Sequence, residues 1–428
     1  MTLLSSLSTG TSGLDAASTD LSVISDNLAN ANTVGFKQAR ADFEELLAQN
    51  VVSGSGQVGL GATVEDVQKL MTQGSLENTG NPTDLALQGN GFFEVAGTTT
   101  GGLAGEFLTR DGEFTLDQNG YLVNEDGLRV QGYTANATGT ITSALGDLQV
   151  GNINAPPQAT ATVTLQGNLD AAATPPAAWD PTNPTGTSNF ATTATVYDSL
   201  GNADQTTVYF RNDGNGTWEF HAMTDGANLT GGTAGTPTEI GAGTLTYDAT
   251  GKLVDETQTS DFNPLGATNP QPLTFNFGDP TDAGGTGLAG LTQFSSASAT
   301  TAVSQDGYAA GQMTSLQVEA NGLVNGVFTN GQTRALGQVA VAEVAAPDQL
   351  ARVGGNLYQV TNASGAVDMG VAGQGGRGTI SSGNLEESNV DIATQFVDMI
   401  TAQRNYEANS KTITTADTLL SELIQMKR

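Results

Sequence analysis

The chain has 428 residues, with 44 acidic against 14 basic side chains, a formal net charge of −30, 55 glycines, 13 prolines and no cysteine. That length allows two or three domains with real cores, and the missing cysteine excludes disulfides, thiolate metal sites and a cysteine nucleophile. The negative balance excludes nucleic acid and anionic membrane surfaces, whose phosphates need the Lys and Arg that are scarce here, and no run approaches the ~18 apolar residues of a membrane-inserted helix.

The N-terminal stretch holds Leu7, Leu14, Leu21 and Leu28 in a seven-residue register, with Ala17, Ile24 and Ala31 three residues after the last three of them. This spacing predicts a helix built to lie along another helix. Ser5, Ser6, Ser8, Thr9, Gly10, Thr11, Ser12 and Gly13 crowd its first turns, so it needs neighbours to fold. In 29–47, Asn32, Thr33 and Gly35 interrupt the register, and Phe36, Phe43, Leu46 and Leu47 resume it in another phase, which predicts a bent or broken helix up to about residue 49. SGSGQVGLG then marks an irregular connector, taken as 50–74.

Residues 75–150 read as β, with Asp111-Gly112, Asn119-Gly120 and Asp126-Gly127 as tight-turn dipeptides between strand formers. Residues 151–302 change in composition, being rich in Thr, Ala, Gly and Pro and holding both tryptophans, and predict an inserted β domain with long polar loops such as Ala171 to Gly186. The earlier β style returns over 303–383, with turns at Asn321-Gly322 and Asn330-Gly331. The closing segment, 384–428, repeats Ile392, Met399, Tyr406, Ile413 and Leu420 at seven residues, with Phe396, Ala402, Ala416, Leu423 and Ile424 at neighbouring offsets. It predicts one helix roughly 58 Å long, capped by Ser388 or Asn389, with Asp391 in its first turn and Lys427 and Arg428 at its negative end.

The predicted class is therefore α+β and multidomain: N- and C-terminal helices paired coiled-coil fashion, parallel or antiparallel, a discontinuous inner β domain and an inserted outer one. The acidity is central, since 1–50 carry −4 and 389–428 carry −1, leaving −25 between them. The closing helix shows neutral Thr394, Gln395, Thr401, Asn405, Asn409, Thr412 and Thr415 away from its stripe, which predicts that those faces also contact protein.

Little in the chain suggests chemistry. Gly373, Gly375 and Gly378 spell GxGxxG, but the helix a phosphate loop needs begins some ten residues too late, and the stretch reads as a hinge. Asp117 and Asn119 imitate a calcium loop, yet Gly120 comes too early and no closing glutamate follows. His221 is the only histidine, so no two-histidine metal site exists, and it reads as one strand side chain. No catalytic, metal or cofactor residues are singled out, and no cofactor is expected. A secreted acidic β-rich hydrolase fits the composition but leaves both terminal stripes without a purpose.

Longer motifs carry a resemblance. DNLANANTVGFK, containing Asn27, Asn30, Asn32, Thr33, Gly35 and Phe36, and the closing SNVDIATQFVDMITAQRNYEANSK, containing Gln403, Arg404 and Asn409, are similar to bacterial flagellar rod and hook proteins. GNPTDLALQGNGFFEV, LTRDGEFTLDQNGYLV and SQDGYAAGQMTSLQVEANGLV resemble the β domain of that family, and the large insert with VYDSLGN resembles its hook members rather than its rod members. The resemblance implies a non-enzymatic subunit, exported unfolded by the flagellar type III apparatus without a cleaved signal. It further implies an extracellular, flexible hook tube that transmits torque, with rod, hook-cap and hook–filament junction proteins as partners. Another axial role, distal rod or hook-associated, is the alternative. In such a tube the terminal helices are expected innermost and the insert outermost. Leu7, Leu14, Leu21, Ile24, Leu28, Ile392, Phe396, Met399, Tyr406, Ile413, Leu420 and Leu423 are expected at helix and subunit interfaces, with glycine joints at Gly54–Gly61 and Gly373–Gly383.

Overall fold

The computed structural model describes residues 3–47, 59–136 and 138–426, apart from the side chains of 3–5, 47, 423 and 424. Two compact units emerge: the first from Met1–Ile153, Thr314–Val327 and Thr333–Arg428, the second from Asn154–Met313 and Phe328–Gln332.

The first unit opens with helix α1 (Leu3–Ala29) and closes with helix α2 (Ile392–Met426). Between them the chain is β. The bent helix expected up to residue 49 is not formed: after α1, strand β1 (Ala39–Leu47) pairs antiparallel with β2 (Gly59–Lys69). Part of the connector expected over 50–74 is therefore this second strand, Gly59–Gly61 included, while Gly54, Gly56 and the rest of 48–58 lie outside the described residues. The inner face of β1 is made by Ala39 and Ala41, both buried, and alanines announce a strand poorly.

Strands Phe92–Thr98, Ala104–Thr109, Arg129–Ala135 and Thr333–Glu343 form the central sheet of this unit. Leu85, Leu87, Phe93, Val95, Phe107, Phe114 and Val130 fill its core with no exposed surface, and Phe93 meets Phe114 edge-on at 5.3 Å. The end of the chain completes the beginning: Thr379–Ser382 pairs with Leu85–Gln88, and Asn384–Glu386 with Leu76–Asn78. Gly120, Gly127, Gly322 and Gly331 take the positive φ expected at their turns. Asp111-Gly112 makes no hairpin; Gly112 instead lies against Leu85, whose N–H donates to its carbonyl at 3.0 Å. The GxGxxG stretch is no loose hinge either. Gly373 N–H donates to Gly378 O at 2.9 Å, and the Arg377 guanidinium pins the turn through Val341 O, Asp368 O and the Asp368 carboxylate.

The second unit carries a five-stranded antiparallel meander in chain order, from Phe190–Tyr197 to Leu253–Ser260. Against it lies a smaller sheet in which Thr162–Asn168 pairs with Thr274–Asn276, Leu291–Thr292 and Ala299–Gln305. Alternating inward residues make the shared core, with Trp218, Phe210, Phe220, Phe275 and Phe277 fully buried. His221 is a strand residue; its ring stacks on Trp179 at 4.0 Å and its Nδ1 lies 2.7 Å from Glu239.

Candidate assembly surface

α1 and α2 run antiparallel, as three contacts along them show. Gly10 lies against Ile413, Gly13 against Asn409, and Asn27 Nδ2 donates to Gln395 Oε1 at 3.1 Å. A Cβ at Gly13 would stand 2.8 Å from Asn409 Nδ2, so glycine there sets how closely the helices approach. The seam is made of small residues: Ala17, Ala402 and Ala416 are buried. Of the expected stripe, Ile24 is buried, and Leu7, Leu14, Leu21, Leu28, Met399, Ile413 and Leu420 are half-buried. The Leu423 side chain lies outside the described residues.

Other large apolar side chains of α2 point away from the seam. Ile392, Phe396, Val397 and Ile400 are 44%, 50%, 63% and 50% exposed, on the two turns after the cap, and Tyr406 is 37% exposed. At ~100° per residue, Phe396 and Ile400 lie well round the helix from Ala402. Phe43, Leu46 and Leu60 add exposed apolar surface on β1 and β2. Gln403 and Arg404 are exposed as well.

The cap differs from expectation. Asp391, rather than Ser388 or Asn389, receives the N–H groups of Ala393 and Thr394 at 2.9 and 3.3 Å, and these bonds hold its carboxyl below the usual range. Asn389 ties the hairpin instead: its Oδ1 accepts from Gln38 N at 2.8 Å and its Nδ2 donates to Leu70 O at 2.9 Å. α2 has 35 residues, so it is about 52 Å long.

The segment after α1 explains the density of asparagine there. Asn27, 1% exposed, donates to Ala39 O and accepts from Ala39 N, both at 2.8 Å, and so docks the helix onto β1 as a strand neighbour would. Asn30 Nδ2 caps the helix end at Asp26 O, and Thr33 Oγ1 bonds Asn30; Asn32 is exposed. Phe36 is buried beneath the Arg352 guanidinium, 4.9 Å over its ring. Gly35 sits at φ +68 with its N–H on Glu386 O at 2.7 Å, and a Cβ there would stand 2.6 Å from the Arg110 carbonyl carbon. Gly35→Ala is expected to cost about 2 kcal/mol or more through left-handed strain and this clash. Hydrogen exchange of residues 26–40 should accelerate, and unchanged protection would contradict the assignment.

Beneath this segment lies an ionic cluster that the sequence did not reveal. Glu386 is fully buried between Lys37 Nζ at 2.6 Å and Arg110 Nη1 at 3.2 Å. Gly74 N–H also donates to Glu386, and Lys37 donates to Thr72 O. Burial pulls the Lys37 ammonium below its ordinary range, while Glu386 acts in the opposite sense. Lys37 inside an otherwise apolar VGFK was the one available signal. Among the described residues no helix is long and apolar enough to cross a membrane, and no group of three or more His, Asp or Glu could hold a metal.

Four family profiles match successive parts of the chain: Flagella basal body rod protein (7–37), Flagellar hook protein FlgE/F/G D1 domain (86–171), Flagellar basal body protein FlaE D2 domain (168–308) and Flagellar basal body rod FlgEFG protein C-terminal (381–426). Flagellar hook protein FlgE of Escherichia coli strain K12 is 35% identical over 432 residues, covering 97% of this chain and 98% of that one. The chain belongs to the flagellar hook protein family. The namesake of Treponema pallidum is 33% identical over 474 residues and that of Brucella abortus 36% over 434, each covering 100% of both chains. This hook-family chain is a structural subunit of the bacterial flagellum, located at the hook and basal body, and its family is structural rather than enzymatic.

Proposed function

We propose that this hook subunit polymerises through its terminal helix pair into a flexible tube that joins rod to filament and transmits torque while bending. The observation that carries the reading is the face of α2 holding Ile392, Phe396, Val397 and Ile400, apolar and about half exposed while the intrachain seam is closed by small residues. Burying the remainder of each side chain against neighbouring copies contributes about 1 kcal/mol, repeated over every subunit. Tyr406, Gln403 and Arg404 belong to the same interface, and the half-buried stripe residues position it. Rod, hook-cap and hook–filament junction proteins meet the ends of the tube. The chain reaches its extracellular place unfolded through the type III apparatus, without cleavage of a signal.

Phe396→Asp combined with Ile400→Asp tests the reading, because both positions are exposed and tolerate charge in the monomer. Purified variant should give no tubes in electron micrographs while its far-ultraviolet circular dichroism, whose helical signal comes from α1 and α2, matches wild type. Normal tubes would overturn the proposal.

A further inference from the structure

A cleft of about 500 Å³ in the first unit has Leu108, Leu145, Val360 and Met369 in its lining and two carboxyls, Glu94 and Glu106. The two acids sit on paired strands, diagonal across the register Glu94↔Leu108 and Ala96↔Glu106, and so share one face. Glu94 is only 8% exposed, yet its partner is the other carboxyl rather than a cation, and burial followed by the Glu106 charge pushes it up to about 7. The nearby charges on surrounding strands are already engaged: Arg129 with Asp147, and Asp368 with Arg377. A nearly buried acid in a cleft walled by apolar side chains together with the amides of Gln131 and Gln359, with no countercharge, is unfinished on its own.

We propose that this cleft receives a lysine or arginine side chain from a second copy of the chain. Its aliphatic stem lies on Leu108, Leu145 and Val360, and its cationic head meets Glu94 and Glu106. The inference rests on the polymer reading above and assigns it a specific ionic contact. Size favours a long side chain over a bare divalent ion, which needs six or more oxygens drawn close around it, whereas a Lys or Arg stem fills apolar space behind its head. Charge favours the same occupant. In a chain of net −30, Lys37, Arg110, Arg129, Arg211, Arg352 and Arg377 are held in internal ion pairs. Arg404 and Lys411 stand exposed on α2 with no ion pair among the described residues.

The contact needs both carboxyls ionised, so it strengthens with rising pH. The critical concentration for polymerisation is measured at pH 6 and pH 8 for wild type, Glu94→Gln and Glu106→Gln. Wild type is expected to polymerise several-fold more readily at pH 8 than at pH 6, whereas each variant should need more protein at pH 8 and Glu94→Gln, which removes the raised acid, should lose the pH dependence. Glu94→Gln should at the same time raise the melting temperature of the monomer at pH 8, because it removes an ionised acid from a buried place. A purely structural role would not weaken assembly while stabilising the subunit. Variants that assemble like wild type at pH 8 would overturn the site and leave the polymer reading standing, whereas absence of any wild-type polymer would overturn the reading itself. Wild-type assembly that requires added calcium and is lost with chelator would replace the side chain by a metal and also overturn the proposal.

Discussion

Glu386→Ala is expected to cost the first unit about 3–5 kcal/mol, because it leaves two buried cations, Lys37 and Arg110, with no anion between them. That is a large part of the ~5–15 kcal/mol that holds a typical domain folded. The loss extends beyond charge. Gly74 N–H loses its acceptor, and the strand pair Asn384–Glu386 with Leu76–Asn78 loses the side chain that anchors it. Denaturant unfolding followed by hydrogen exchange in 35–38, 72–78 and 384–389 should register the change. The triple replacement Lys37→Met, Arg110→Met, Glu386→Met should recover much of it, since apolar side chains of similar length need no countercharge. A Glu386→Ala protein within 1 kcal/mol of wild type would show that the cluster contributes nothing net.

Asn27→Leu should undock α1 from β1. Leucine matches the volume but strands both the N–H and the C=O of Ala39 in a buried place, at ~1–3 kcal/mol for each unsatisfied group, and Gln395 loses its partner as well. α1 has little propensity of its own to fall back on, given the serines, threonines and glycines of its first turns. Limited proteolysis should cut the variant within α1 while the β core survives, and tubes should be absent from micrographs. Protection of α1 equal to wild type would argue that the seam with α2 alone holds the helix.

The two terminal helices were legible in the sequence, and so was the return of the first β style after a compositionally distinct insert, because period and turn chemistry are local. What failed was non-local. Phe43, Leu46 and Leu47 fall at helical offsets by coincidence, whereas the strand they belong to is fixed by Asn27, Asn389 and the partner Gly59–Lys69. Ala17, Ala402 and Ala416 stood in the predicted stripes beside large residues, but Gly10 and Gly13 read only as poor helix formers, whereas two backbones lying close select all five. Several of the large residues so excluded, Ile392 and Phe396 among them, are the exposed ones. Lys37, Arg110 and Glu386 are each unremarkable in the chain and acquire meaning only when the sheet brings them together.

The ionic cluster also sets a clock. Lys37 and Glu386 are separated by 349 positions, and the strands that shut the first unit are drawn from the last tenth or so of a 428-residue chain. Contacts so distant in sequence form late and slowly, since the ends must find each other before burial rewards the search. A polypeptide emerging one end first therefore cannot bury Lys37 until nearly all of it has appeared. Up to that moment the cluster joining the two ends of the first unit lacks its anion, and the final segment acts as the latch that completes the building block.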